Sequence, residues 1–221
     1  MNFAFYDLET TGTAGPYDQI LQFAAIVTDE RFKVLDKINL RCQLTPYILP
    51  SPGALAVTGV SPSAIVDSSL PSQFELSQEI REYITKWTPA TWVGYNSLSF
   101  DETFLRHMFY QMLQPNVYET QFNGNNRFDM ILAARACRAK SPETLKWVLN
   151  EKGNAIFKLE VVAPANGFSG HNAHDALGDV EATIHLAKLI ADGAPDFWEL
   201  ALANRNKQDV ISKIQLFKPF D

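Results

Sequence analysis

Residues 4–12 read AFYDLETTG, an apolar, aromatic-led run with the character of a core strand that nevertheless carries Asp7 and Glu9. Side chains two apart on a strand point to the same face, about 6.6 Å apart along it, so both carboxylates enter one space. A carboxylate removed from water without a partner costs several kcal/mol, and two held close together repel. Either the strand frays here and leaves both acids in solvent, or something positive sits between them. The choice turns on whether other acids reach the same place.

Hydrophobic periodicity predicts strands over 2–9, 19–28 and 32–43, with turns marked by Gly12, Gly15 and Pro16 and then by DERF, an antiparallel meander. The Pro-rich connection LPSPGALAVTGVSPS follows, then a helix near 72–87, a short strand TWVGY at 91–95 and a helix near 99–113. Further helices are expected near 129–140, 143–150, 173–191 and 196–205, the first of them preceded by a short extended piece. The implied class is α/β, a mixed sheet covered by helices.

With 221 residues and 46% hydrophobic content, the chain can bury one substantial core, and no Pro/Gly/Ser tract or charge block divides it. Cys42 and Cys137 are too few for a disulfide framework, and MNFAFYD has neither the basic start nor the long apolar run of a signal peptide. A cytoplasmic protein is the expectation, with no membrane partner, since no apolar stretch approaches the roughly 20 residues that span a bilayer. A net charge of -6 speaks against an indiscriminate polyanion binder. It does not speak against a metal site, where clustered acids lower the total and bound cations neutralise them locally.

Two more acids interrupt apolar stripes. In SFDETFLRHMFYQML, Asp101 shares a helical face with Phe104, Leu105, Met108, Phe109 and Met112. In HDALGDVEATIHLAKLI, Asp179 lines up with Ala182, Thr183, Leu186, Ala187 and Ile190. Either acid alone is accounted for by the preference of carboxylates for a helix N-terminus. Four of them in a single-core domain point instead to a divalent-metal site holding two Mg²⁺ or Mn²⁺ ions, because a set of oxygen ligands without Cys suits those hard cations. Two ions roughly 3.5–4 Å apart suit phosphoryl hydrolysis. That chemistry gains from a base near neutral pH, for which His174 is the first candidate and His171 the second; His107 and His185 lie within helices and read as surface or packing residues.

The set Asp7-x-Glu9, Asp101 and His174-x-Ala176-x-x-Asp179 resembles the DEDDh 3′→5′ exonucleases, whose fold is ribonuclease H-like, with DLETTG, GYNSLSFD and HDALGD in the family's order. LPSPGALAVTGVSP, FDETFLRHMFY, NRFDMILAARAC, KLEVVAPANG and NRNK are more particularly similar to the exonuclease domains of the bacterial exonuclease I family, over nearly the whole chain. The resemblance implies metal-dependent release of 5′-mononucleotides from the 3′ end of single-stranded DNA. In it, Asp7, Glu9, Asp101 and Asp179 hold the ions and His174 is the general base. Thr10 contacts the terminal nucleotide, Asn96 orders the site from behind the ligands, and Arg106, Arg135 and Lys158 contact DNA. The family usually presents arginine where Lys158 stands, and lysine keeps the charge but loses the bidentate fork. Tyr118 and Phe122, in the polar stretch YETQFNGNN, would stack on bases, while Phe100, Phe104 and Phe109 are expected in the core.

One exonuclease domain is therefore expected over 1–205, with 206–221 a tail or the start of a linker. Exonuclease I proteins continue past NRNK into domains that enclose the DNA, so the chain is either an excised catalytic domain or a naturally short relative. Two other readings stay open: a 3′→5′ exoribonuclease acting on RNA with the same five residues, and a nucleic-acid-binding module whose array is inert. Protein partners are not legible.

Overall fold

The computed structural model describes residues 1–169, 175–205 and 207–214. Three strands, β1 (Asn2–Thr10), β2 (Ile20–Thr28) and β3 (Val34–Arg41), form the expected antiparallel meander. The Pro-rich connection is more ordered than its composition suggests. It folds into α1 (Pro52–Thr58) and a single turn, α2 (Pro62–Ile65), each with proline at the start of the helix behind Ser51 or Ser61, where its missing N–H costs nothing. Next comes α3 (Gln73–Trp87), opened by a reciprocal capping box between Ser72 and Glu75. It carries the chain across the sheet to β4 (Ala90–Gly94), which pairs parallel with β1. After α4 (Asp101–Gln111), β5 (Asn126–Asp129) pairs parallel with β4 and completes a sheet of order β3-β2-β1-β4-β5. The remaining elements are α5 (Met130–Lys140), α6 (Leu159–Ala165), α7 (Ala176–Gly193), α8 (Pro195–Ala203) and α9 (Lys207–Lys213), the last within the stretch expected to be a tail.

The helix expected over 143–150 does not form. Asn166 captures the backbone of Lys146 on both sides, accepting from its N–H at 2.7 Å and donating to its carbonyl at 2.9 Å. Beyond it the chain folds back on itself, with Ile156 N–H donating to Val148 O and Asn150 N–H to Asn154 O. Trp147 packs on Phe157 and lies beneath the Arg138 guanidinium. These partners are distant in sequence, so local periodicity misassigns the segment.

Helices cover both faces of the sheet. One face buries Phe3, Phe5 and Val93 against α5 to α8, with Cys137, Val162, Leu186 and Trp198. The other buries Ala4, Tyr6, Leu8 and Trp92 against α3 and α4, with Ile80, Ile84, Phe104 and Phe109. The two-residue period of β1 therefore puts Asp7 and Glu9 on the first face, continuing the line of Phe3 and Phe5 under α7. An apolar stripe becomes acidic at the carboxyl end of the central strand. Among the described residues no helix is long and apolar enough to cross a membrane.

Candidate active site

Carboxylate oxygens of Asp7, Glu9 and Asp179 lie within 4.8 Å of one another, the first two from β1 and the third from the first turn of α7. Asp101 comes from the opposite face. It opens α4 and is only 3% exposed, and its Oδ1 is buried without a hydrogen-bond partner. The Leu8 N–H, lying between Asp7 and Glu9 in sequence, helps to hold its carboxylate, so all four acids gather at one end of β1. The frayed-end reading is excluded, since Glu9 is 8% exposed and both acids are still paired with β2, Asp7 opposite Ala24 and Glu9 opposite Gln22.

Electrostatics carry the mark of this crowding. Burial first, then the charges of Asp101, Asp179 and Glu9, push the Asp7 carboxyl well above the usual carboxylate range. Burial, Asp179 and Asp101 push Glu9 up to about 8, while Arg41 pulls slightly the other way. Asp101 also rises to about 8, through burial and the neighbouring Glu102, against the backbone hydrogen bonds that favour its ionised form. Such a cluster holds protons near neutral pH unless cations replace them.

A tether sets the height of α7 above the sheet. Glu9, Gln22 and Arg41 are cross-strand neighbours on β1, β2 and β3. Asp175 accepts from Gln22 Nε2 at 2.9 Å and from Arg41 Nη2 at 3.2 Å, and its carbonyl accepts the Asp179 N–H. Sequence reasoning missed all three of these polar residues. The available signals were a glutamine inside the apolar run ILQFAAIV and the first acid of HDALGD.

Two grooves flank the acids. A cleft of about 460 Å³ is walled by Asp7, Asp179, Asn96, Arg135 and Lys158, two of the three expected DNA-contacting cations among them. A second groove, of about 440 Å³, runs past Glu9, Thr10, Val57 and Phe100. Thr10 is nearly buried and donates from Oγ1 to Gly12 O, so its hydroxyl serves the turn. Arg135 lies over the Phe157 ring, and Lys158 precedes α6 with its ammonium exposed beside Glu160. Arg106 is folded along its own helix, donating to Glu102 O and Thr103 Oγ1. Tyr118 and Phe122 form an exposed edge-to-face pair and line neither groove. Phe104 and Phe109 are core residues as expected, whereas Phe100 is partly buried and faces the second groove. Both base candidates, His174 and His171, lie outside the described residues. His107 and His185 spend a ring nitrogen on Thr103 O and Asn166 O, in keeping with packing roles.

Residues 4–187, which contain all four acids, match the family model RNase_T, described as exonuclease. The chain belongs to the RNase T exonuclease family. Among curated members, exodeoxyribonuclease I of Haemophilus influenzae is 36% identical over 212 residues, 95% of this chain and 44% of the relative. Escherichia coli exonuclease I in complex with a dT13 oligonucleotide superposes with a TM-score of 0.91 at 34% identity, over 97% of this chain and 46% of that one. The zinc-bound form of an E. coli exonuclease I–single-stranded DNA complex gives a TM-score of 0.91 at 33% identity, with the same coverage. The chain thus spans about half the length of the curated relatives it matches. The shared architecture is that of the expected ribonuclease H-like exonuclease fold.

Proposed function

We propose that this chain is the catalytic part of a metal-dependent 3′→5′ exonuclease that hydrolyses single-stranded DNA to 5′-mononucleotides. The observation that carries the reading is the convergence of Asp7, Glu9, Asp179 and Asp101 at one strand end, three of them within 4.8 Å and the fourth with a buried, unpartnered oxygen. Raised proton affinities at Asp7, Glu9 and Asp101 and an oxygen-only donor set fit divalent cations, and Mg²⁺ or Mn²⁺ is the natural choice. When bound, two such ions would supply an activated water on one side of the phosphodiester and charge stabilisation of the leaving 3′-oxygen on the other.

The remaining tasks fall to side chains. His174, five residues before Asp179, takes the proton of the attacking water. Asn96, Arg135 and Lys158 line the cleft where phosphates of the substrate lie, and two cations there offset the negative charge of the rest of the site. Thr10 and the second groove receive the terminal nucleotide. Arg106 gives up its bonds to its own helix to reach a phosphate, and Tyr118 and Phe122 present exposed rings to bases further along the strand. A cytoplasmic site of action accords with two free, buried cysteines.

The test is a parallel reaction of 5′-labelled single-stranded DNA and the matching RNA with Mg²⁺, with EDTA and Asp179→Ala as controls. A ladder shortening from the 3′ end of DNA, absent in both controls, is expected. Faster loss of RNA would reassign the substrate, and no shortening by folded, metal-loaded protein would reassign the array to binding.

A further inference from the structure

Asp129 is an acid that the metal array does not use. It ends β5, is 5% exposed, and its carboxylate is filled by three backbone donors. Oδ1 accepts from Asn96 N–H at 2.9 Å and from Ile131 N–H at 3.1 Å, and Oδ2 accepts from Leu98 N–H at 3.1 Å. These donors belong to two different segments. Asn96 and Leu98 lie in the turn that leaves β4 and leads to Asp101, whereas Ile131 is in the first turn of α5, four residues before Arg135.

Both segments wall the cleft beside Asp7 and Asp179: Tyr95 and Asn96 from the turn, Ile131 and Arg135 from the helix. The turn needs such a clamp. Asn96 is held at φ 65°, and the chain folds back so closely that a Cβ on Gly94 would meet Ser97 Cβ at 2.4 Å. Gly94 is itself the parallel partner of Asp129, which puts the carboxylate directly across from the point where the turn begins. On the far side, Tyr95 donates its hydroxyl to Phe157 O at 2.6 Å, which carries the same turn to the segment bearing Lys158. A charged acceptor bound by three N–H groups is a strong and directional joint.

We propose that Asp129 is a positioning residue for the polynucleotide cleft: one carboxylate fixes the Asn96 turn and the start of α5 relative to each other, and so sets the spacing of Asn96, Arg135 and Lys158 along the strand they receive. The proposal rests on the exonuclease reading for what the cleft binds, and it separates Asp129 from the metal ligands. Substrate affinity is its province.

Asp129→Ala removes both acceptor oxygens and all three hydrogen bonds, whereas Asp129→Asn keeps an oxygen for Asn96 and Ile131 and loses the bond from Leu98. With a single-stranded oligothymidylate substrate, Asp129→Ala is expected to raise KM about tenfold with kcat within about threefold, and Asp129→Asn to fall between it and the wild type. Calorimetric titration with Mn²⁺ is expected to show the same stoichiometry with affinity within about threefold of the wild type for both, since Asp129 reaches the array only through its charge on Asp101. Amide hydrogen exchange of Leu98 should quicken in Asp129→Asn, and that of Asn96 and Ile131 as well in Asp129→Ala where it folds, while that of residues 7–9 stays unchanged. Weakened Mn²⁺ binding with a fall in kcat would make Asp129 a ligand, and a fall in kcat at unchanged KM would reduce it to a fold-stabilising cap; either overturns the proposal. A wild-type protein that leaves DNA intact would defeat the exonuclease reading, and the exchange pattern would still decide whether Asp129 clamps the two segments.

Discussion

Glu9→Gln should stabilise the metal-free protein while destroying its capacity for metal. Glu9 holds its proton to about pH 8 in the folded chain, whereas an unfolded glutamate releases it near 4.5. A raised folded-state value means that the folded protein binds more protons, so stability is full below the unfolded value and falls as pH rises through the folded one. Taken alone, Glu9 would cost about 1 kcal/mol at pH 5 and about 4 kcal/mol at pH 8. Asp7 and Asp101 are raised in the same cluster, so relief at one site is partly taken up by the others, and a net gain of about 2 kcal/mol at pH 8 is expected for the glutamine. For a domain of this size that is a rise in Tm of about 4–8 °C.

The assay is thermal unfolding of wild type and variant in EDTA and in Mg²⁺, at several pH values from 5 to about 8. In EDTA the advantage of Glu9→Gln should widen with pH. In Mg²⁺ the order should invert, because only the intact array gains binding free energy in the folded state. A variant less stable than wild type in EDTA at pH 8, or an advantage that does not change with pH, would refute the account of Glu9 as a repelled, buried carboxylate.

Asp179→Ala and Asp7→Ala are each expected to lower hydrolysis of single-stranded DNA by at least about a thousandfold with native circular dichroism. Unfolding together with the loss would mark the acids as structural. For His174→Ala, single-turnover rates should drop by about a hundredfold or more with Mn²⁺ affinity retained, and loss of bound Mn²⁺ would make the histidine a ligand instead. Arg41→Ala breaks a half-exposed ion pair, so it should cost under about 1 kcal/mol of stability. Because Arg41 also favours the ionised form of Glu9, the Mn²⁺ concentration for half-saturation at neutral pH should rise by about threefold, and an unchanged titration would remove Arg41 from the electrostatics of the site.

Much of the site was legible because it obeys local periods. Asp7 and Glu9 sit two apart on β1, and Asp101 and Asp179 sit on the apolar stripes of α4 and α7, so helix and strand geometry alone sends each toward the interior. The meander and the main helices follow from the same regularities. The failures have two causes, backbone groups that bond outside their own turn and proline's tolerance at the first position of a helix. Lys146 and Val148 take their partners from Asn166 and Ile156, which turns an expected helix into a loop, and prolines that read as breaks instead begin α1 and α2.

Sequence by itself thus determined which side chains are acidic, which face of its own element each occupies, and the order of strands and helices that brings them in. Only the tertiary structure decided that two faces of the sheet deliver their acids to one end of β1, that Asp175 reaches Gln22 and Arg41, and that Asp129 joins the turn after β4 to α5. A period fixes a direction within one element. Convergence depends on crossover and register between elements, which arise when the whole core packs.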